Sequence, residues 1–323
     1  INLVHDRVKI VVRLSDIKNR KQIWAERYYR DFSVKNLVEI QENIAFEVSG
    51  ELGSEYGIIP QTLSIESKRN KAQTIDTYDA ILKYYYFEAR QTQEAARDAL
   101  HALEEALIKD PYSGIATAML ASIYGSRYAL DLEMADESYR KMAEMSERAL
   151  QLDPCSLTVR VVHAWKCFLY NDKEAFLKNF DWCIRANPNS PMKMGSLGFY
   201  LSLFGDWERG KSFLDQMMIR NLNFPLYYFG ATALYYYRKK DYDAALGEAR
   251  QYNISFLFWA PMLKAAIYGQ LNRPDKARPH LDLVKQLKPD FEEKAHYLIS
   301  RYVKEKSLLD HVMDGLRKAG ISI

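Results

Sequence analysis

The sequence predicts a mainly α-helical protein, in which a tandem array of helix pairs follows a small segment that contains both strands and a helix. Three observations predict this fold class. Apolar residues recur with helical spacing from residue 71 onward, this helical pattern repeats about every 34 residues, and residues 8–14 instead alternate as in a strand. We therefore divide the chain into a small α/β segment, a connector, the array and two closing helices, at 1–55, 56–73, 74–289 and 290–323.

Composition and charge restrict the class of protein. Hydrophobic residues make up 48% of the 323 residues and aromatic residues 13%, which is too much apolar material for a disordered chain. The 45 basic and 42 acidic side chains nearly balance, so charge gives no reason to expect direct contact with nucleic acid or an anionic membrane. Three cysteines without close pairs, and no apolar run of 18 residues, predict a cytoplasmic protein without a membrane span.

The amino-terminal segment predicts a β-hairpin followed by a helix. Residues 8–14 alternate between apolar and polar side chains, and residues 22–29 can pair with them after a short polar turn. Apolar residues at steps of three and four predict a helix over 34–52, with Ser33 as its N-cap. The glycine and proline that follow the helix indicate a connector rather than another element.

The helical part of the sequence is a repeat. One marker position, expected in the first turn of each second helix, recurs at separations of 43, 34, 34, 35 and 32 residues. The long first interval indicates an insertion of nine residues near 125–136. The markers are Ala99, Met142, Phe176, Gly210, Ala245 and Ala277.

Prolines and small residues recur at fixed distances along the sequence from the markers. A proline twelve residues after the marker is expected to stop the second helix, because it cannot continue a helix without losing a hydrogen bond. A small residue twelve residues before the marker is expected where two helices approach closely. The prolines are Pro111, Pro154, Pro188 and Pro289, and the small residues are Ala164, Gly198, Ala233 and Ala265.

Two helices are expected to close the array. A terminal repeat cannot bury its outer face alone, so an array of this kind needs a cap. Helical patterning over 291–303 and 307–318 predicts this cap, and Gly320 is expected to end its last helix.

The 34-residue period, the small residue in the first helix, the Gly205-Asp206-Trp207 turn and the terminal proline resemble the tetratricopeptide repeat. This resemblance covers about residues 74–289 and implies about six repeats in a right-handed superhelix. It also implies that certain positions of each first helix face a concave groove, whereas Tyr124, Tyr236 and Tyr268 belong to the core. The groove positions include Trp165, Phe168, Phe199, Tyr227, Tyr237 and Trp259.

The amino-terminal segment resembles the end of a TolB-like domain, most specifically at Trp24-Ala25-Glu26-Arg27-Tyr28. In many bacterial transcriptional regulators and adenylate cyclases, such a domain precedes a tetratricopeptide array and follows an effector domain. The sequence begins with Ile1 rather than methionine. We therefore expect the carboxy-terminal part of a longer bacterial protein, with only a part of the TolB-like domain present.

No catalytic motif accompanies this pattern. The motifs GxGxxG, HExxH, CxxC and GxSxG are absent from the sequence, and residues 205–212, which have the spacing GxxxxGK[ST], lie at the predicted turn between two helices of a repeat rather than after a strand. The pair His163 and Cys167 is spaced for one helix face, but it supplies two ligands where a structural zinc needs four. We expect no catalytic residues, no metal and no cofactor in this chain.

These observations predict a non-enzymatic regulatory module that binds a peptide or protein partner in an aromatic groove. Aromatic side chains supply much of the binding energy in such interfaces. Two alternatives stay open at this point. The chain could be a fragment of an enzyme, such as an adenylate cyclase, whose catalytic domain lies upstream, or a self-association module that forms a homo-oligomer.

Overall fold

The computed structural model describes most of the chain, and the described residues are mainly α-helical with a small antiparallel sheet at the amino terminus, which confirms the predicted fold class at that level. The described residues are 2–4, 7–17, 20–32, 36–53, 58–59, 62–63, 76–90, 92–132, 134–186, 191–220 and 224–322. Within these ranges, no helix is both long enough and apolar enough to cross a membrane.

The amino-terminal segment has its own small core. Three antiparallel strands, β1 (Asn2–Val4), β2 (Arg7–Asp16) and β3 (Lys21–Asp31), are followed by helix α1 (Leu37–Gly53). Buried apolar side chains of β2, β3 and α1 pack together, and Arg30 donates to the Glu47 carboxylate at 2.6 Å. The predicted hairpin and helix are confirmed. The predicted N-cap Ser33 and most of the connector lie outside the described residues.

The rest of the described chain forms helices α2 to α15, and consecutive helices from α2 to α13 pack as pairs. Short connections return the chain, so the two helices of a pair run in opposite directions. The helices are α2 (Thr77–Arg90), α3 (Gln93–Lys109), α4 (Gly114–Ala129), α5 (Ala135–Leu152), α6 (Leu157–Leu169), α7 (Lys173–Ala186), α8 (Pro191–Leu203), α9 (Trp207–Arg220), α10 (Tyr228–Arg238), α11 (Tyr242–Gln251), α12 (Trp259–Gln270), α13 (Pro274–Leu287), α14 (Phe291–Ser300) and α15 (Lys306–Ala319).

The predicted markers lie where the two helices of a pair touch. All six are buried, and at Gly210 an added Cβ would lie 2.6 Å from the Gly198 carbonyl oxygen. Such a distance is too short for any side chain, so α8 and α9 pack closely because both positions are glycine. The proline stops are also confirmed, since α3, α5, α7 and α13 each end two residues before the expected proline.

The first two pairs differ from the prediction at their starts. Ala99 and Met142 are the seventh and eighth residues of α3 and α5 rather than first-turn residues, because both helices begin earlier than expected. The extra length also appears in the helices themselves: α4 and α5 contain 16 and 18 residues, whereas no helix from α6 to α13 exceeds 14. The predicted insertion is therefore absorbed by longer helices as well as by the connection between them.

The two closing helices are confirmed, with Gly320 at φ +101° as the left-handed cap of α15. Helix α15 packs along α12, and the two helices cross at Gly269 and Gly315. A Cβ added at Gly269 would overlap the Gly315 carbonyl oxygen. This crossing therefore depends on backbone-to-backbone contact.

Residues 301–305, between α14 and α15, return to the second and fourth helix pairs of the array, and we call them the return segment. Arg301 donates to the carbonyl oxygen of Tyr128. Further along the return segment, the Lys304 N–H donates to the Leu203 carbonyl at 3.2 Å, and Glu305 accepts a bond of 2.8 Å from Trp207 Nε1. The carboxy-terminal part of the chain thus contacts helices that precede it by about 100 to 170 residues.

Asp131, directly after α4, holds the return segment in place. Its carboxylate accepts from Lys288 Nζ at 2.7 Å, Lys294 Nζ at 3.1 Å and Arg301 Nη2 at 3.2 Å. Burial alone would raise the pKa of Asp131, but the hydrogen bonds from Lys288 and Lys294 and the nearby charge of Arg301 lower this pKa to about 2. We call these four residues the Asp131 cluster.

Candidate functional site

The first helices of the six pairs line a cavity of about 220 Å³, which opens to solvent beside the exposed residues Thr92 and Gln93 and which we call the aromatic cavity. Helices α2, α4, α6, α8, α10 and α12 all contribute side chains to its walls, and Tyr302 of the return segment contributes another. The first helices of successive pairs also contact each other. One face of the whole array therefore converges on a single site.

Four of the six predicted groove residues line the aromatic cavity: Trp165, Phe199, Tyr227 and Trp259. Only 6–7% of the surface of Trp165, Phe199 and Trp259 is exposed, while Tyr227 is half-buried. Three of these side chains are therefore buried walls of the cavity, whereas the sequence predicted exposed anchors along a groove.

The other two predicted groove residues lie in the core. Phe168 is fully buried, with its ring centroid 5.0 Å from that of Tyr200. Tyr237 is 1% exposed, and its hydroxyl donates to the His311 carbonyl of α15 at 3.0 Å. Helix α15 covers the end of α10, so a position expected to face a groove becomes a contact between helices.

Of the three tyrosines expected in the core, only one is buried. Tyr124 is buried, and its hydroxyl donates to Glu104 at 2.9 Å. Tyr236 and Tyr268 are only half-buried. In α10 the buried residue is Tyr237 rather than Tyr236, so the predicted facing of this helix was wrong by one residue.

The walls of the aromatic cavity form a connected set of rings. The ring centroid of Phe199 lies 5.1 Å from that of Tyr227 and 5.3 Å from that of Tyr200, both in edge-to-face geometry. Tyr302 meets Trp259 edge-on at 5.2 Å. Aromatic pairs at these distances attract each other beyond the effect of burial, so the walls are held in defined positions.

Some polar groups of the walls are already paired, but two donors are not. Tyr84 donates to Ser122 Oγ at 2.9 Å, which satisfies that hydroxyl inside the cavity wall. The indole N–H groups of Trp165 and Trp259 are buried and have no acceptor among the described residues. A buried donor without an acceptor costs about 1–3 kcal/mol, so these two unpaired groups lower the stability of the cavity walls.

Charged and polar side chains line one part of the cavity, at the ends of α2 and α4 and the start of α3. The Arg127 side chain of α4 is half-buried and makes no hydrogen bond or ion pair with the part of the chain that the structure describes, although its charge helps to lower the pKa of Glu137. Glu88 of α2 also lines the cavity, and its side chain already interacts with another group of the protein. Burial raises the pKa of Tyr200, and the charge of Glu88 raises it further, so this phenol stays neutral.

Several lining aromatics escaped the sequence prediction. Tyr84 and Tyr200 lie on predicted first helices, where the repeat pattern assigns other positions to the groove. Tyr302 was expected in a closing helix, and no local pattern indicates that it returns to the cavity. The repeat pattern by itself therefore gives no signal for any of these three tyrosines.

The described residues contain no group of three His, Cys, Asp or Glu side chains placed to hold a metal ion. The buried His163 places its Nδ1 3.0 Å from Ser146 Oγ. Burial raises the pKa of the Cys167 thiol to about 11. Both residues of this pair are therefore packed in the core of the array.

We expect one of the three cysteines to react with a thiol reagent in the folded protein. Cys155 is exposed, whereas Cys167 and Cys183 are buried, and a thiol must reach the reagent as a thiolate in order to react. Titration with DTNB should give one fast equivalent in buffer and three in urea. Two or three fast equivalents in buffer would contradict the described packing.

Comparison of the sequence with protein-family models found no match, and comparison with curated proteins found none either. The tandem packing of 15 helices is compatible with a helical repeat. The tetratricopeptide and TolB-like assignments therefore remain predictions from the sequence, and the aromatic cavity has to be interpreted from its own residues.

Proposed function

We propose that this chain is a non-enzymatic recognition module whose aromatic cavity receives an apolar group of a peptide or protein partner. One observation carries the proposal: the first helices of all six pairs converge on a single cavity walled by aromatic side chains. Ligand sites are typically concave and mostly apolar, with a few placed polar groups. Repeat arrays commonly use the surface formed by equivalent helices for binding.

We further propose that the helix pairs are tetratricopeptide repeats in a right-handed superhelix and that residues 1–55 are the end of a TolB-like domain. The repeat spacing, the buried markers and the proline stops support the first assignment. The hairpin and following helix support the second. In this proposal the chain belongs to a bacterial, cytoplasmic signalling or transcription-regulatory protein, and it passes a binding event to an upstream effector domain.

The return segment offers a way for binding to act on the rest of the module. Tyr302 forms part of the cavity wall, and its neighbour Arg301 is tied to Tyr128 and Asp131 at the end of α4. A group that packs against Tyr302 would therefore favour the closed position of the return segment. Occupancy of the cavity would in this way strengthen the contact between the return segment and the second helix pair.

We expect the substitution Phe199→Leu to weaken partner binding at least tenfold, because the Phe199 ring forms a cavity wall. A peptide selected from a random library against the folded chain supplies the ligand, and isothermal titration calorimetry measures its affinity. Phe180→Leu is the matched control, since Phe180 is an equally large buried ring, and neither it nor its ring neighbours Phe176 and Phe213 line the cavity.

The control should bind the peptide with unchanged affinity, although both variants lose some stability through the smaller side chain. Equal loss of affinity in the two variants would mean that binding depends on the fold rather than on the cavity. Failure to select any peptide would also count against the proposed function.

A further inference from the structure

The aromatic cavity has the size and the lining of a site for a compact, mainly apolar molecule. Most of its lining side chains are aromatic or aliphatic, and its volume is about 220 Å³. An engineered apolar cavity of about 150 Å³ admits benzene, so by proportion this cavity takes roughly nine non-hydrogen atoms. A longer molecule would have to extend through the opening beside Thr92 and Gln93.

The charged side chains of the cavity wall favour neither sign of ligand charge. Among the described lining residues these side chains are Glu88 and Arg127, one acidic and one basic, so together they add no net charge. Moving an ion from water into apolar surroundings is costly unless an opposite charge there is left to pair with it. The wall therefore favours an uncharged ligand.

Three phenol hydroxyls of the wall make no hydrogen bond with the described residues, and we call Tyr200, Tyr252 and Tyr302 the phenol cluster. Tyr200 and Tyr252 are only 7% and 5% exposed, and Tyr302 is half-buried. Within the described chain, the unpartnered side-chain atoms that have no accessible surface are the two indole nitrogens and Arg301 Nε. The phenol hydroxyls are not among these atoms and so keep accessible surface. Since the rest of Tyr200 and Tyr252 is buried, this surface faces the cavity that they line.

The members of the phenol cluster lie near one another. The ring centroid of Phe199 is 5.3 Å from that of Tyr200 and 6.3 Å from that of Tyr302. Burial raises the pKa of all three phenols, and the electrostatic effect of Tyr302 raises the pKa of Tyr200 and Tyr252 further. Such an effect requires that the groups be close together. The three phenols therefore stay protonated and offer hydrogen-bond donors to the same part of the cavity.

A carbonyl oxygen is the acceptor that matches these donors. It has two lone pairs and carries no proton, so it can accept from two hydroxyls without adding a donor that would itself need a partner. A site that hydrogen-bonds its ligand discriminates strongly against an analogue without the polar atom, because the buried groups of the site are then left unpaired. The phenol cluster thus favours a ligand with such an oxygen over a pure hydrocarbon.

We infer that the aromatic cavity binds a compact, uncharged carbonyl compound, whose apolar part packs against the aromatic walls and whose oxygen accepts hydrogen bonds from the phenol cluster. This inference rests on the proposed function in one respect, namely that the cavity is the recognition site. It adds the chemical class of a small ligand, which would occupy the space otherwise available to an apolar group of a protein partner.

The first test compares acetophenone with three molecules of similar size by isothermal titration calorimetry on the 323-residue chain. Ethylbenzene lacks the oxygen, benzoate carries a negative charge and benzylamine carries a positive charge. Acetophenone should bind about tenfold more tightly than each of the other three, because it alone is both uncharged and an acceptor.

The second test removes two hydroxyls and no other heavy atom, through the double substitution Tyr200→Phe and Tyr252→Phe. It should weaken acetophenone binding about tenfold and leave ethylbenzene binding unchanged. Tyr170→Phe with Tyr237→Phe is the matched control, because these hydroxyls donate to backbone carbonyls and their side chains do not line the cavity. The control should bind acetophenone like the unmodified chain. Circular dichroism and a melting curve establish that each double variant is folded.

Three results would overturn the inference: binding of ethylbenzene, benzoate or benzylamine as tight as that of acetophenone, an unchanged acetophenone affinity in the variant with Tyr200→Phe and Tyr252→Phe, or no binding of acetophenone to the unmodified chain. The third result, together with a selected peptide that Phe199→Leu weakens, leaves the proposed function standing and removes only the carbonyl ligand. Acetophenone binding without any selectable peptide gives the reverse outcome. The two proposals can therefore fail separately.

Discussion

Replacing Asp131 by alanine is expected to lower the free energy of unfolding by about 3–5 kcal/mol, because it removes the anion from a buried ion-pair cluster. The Arg301 side chain is only 3% exposed and that of Lys288 only 15% exposed, so neither cation can recover its hydration after the substitution. Denaturation in urea, followed by circular dichroism, measures this loss.

The matched control is Asp310→Ala, which also removes an aspartate that accepts from a lysine. Asp310 pairs with Lys306 on the surface, where both side chains are largely exposed. Exposed pairs of this kind contribute between zero and about 1 kcal/mol. Similar losses in the two variants would show that the Asp131 cluster does not secure the return segment.

The contribution of the Asp131 charge should also depend on pH. The folded pKa of about 2 lies below the ordinary value of 3.8, so this contribution is complete above pH 4 and disappears as the pH falls towards 2. We expect the stability difference between the unmodified chain and Asp131→Asn to shrink by roughly 2 kcal/mol over this interval. A constant difference between pH 5 and pH 2 would contradict the role of the charge.

The second large effect is expected at the crossing of α12 and α15. Gly269→Ala should lower the free energy of unfolding by about 3 kcal/mol, because the new Cβ meets the Gly315 carbonyl oxygen and lies 2.8 Å from the Ala319 nitrogen. Both contacts are with backbone atoms, which cannot turn away as a flexible side chain can. The helices must therefore separate.

Gly247→Ala is the control for this substitution. Gly247 also lies within a helix, α11, but an added Cβ there has no atom within 4 Å. Alanine is the better helix former, so Gly247→Ala should raise stability by as much as about 1 kcal/mol. A change of the same sign in both variants would mean that α12 and α15 do not approach as closely as described.

The repeating features of the fold could be predicted because each is encoded locally. A small residue such as Gly198 or Gly210, or a proline such as Pro111, affects only its own helix or the next one. Such residues therefore recur in the sequence with the period of the repeat. No recurring sequence pattern indicates where the return segment packs. Asp131 and Arg301 are separated by 170 residues, and their charges resemble those of any exposed helix end in the sequence.

The candidate site was predictable in part for the same reason. Trp165, Phe199 and Trp259 occupy positions that the repeat pattern assigns to the groove, and in the structure all three line one cavity. Tyr235, Tyr236 and Tyr237 are three identical residues in a row, so side-chain type cannot distinguish the buried position. The burial of Tyr237 is decided by α15, which lies outside the repeat.

The return segment has a consequence for the order in which the chain can fold. In an open array each pair contacts only its neighbours, so early pairs can mature while later ones are still being synthesised. Here the cavity lacks a wall until Tyr302 arrives, and Arg301 can reach Asp131 only after the 169 residues between them have been made. Long-range contacts of this kind slow folding. Recognition at the cavity would therefore be reserved for chains whose synthesis has passed residue 302, and shortened products would lack it even where their helices are sound.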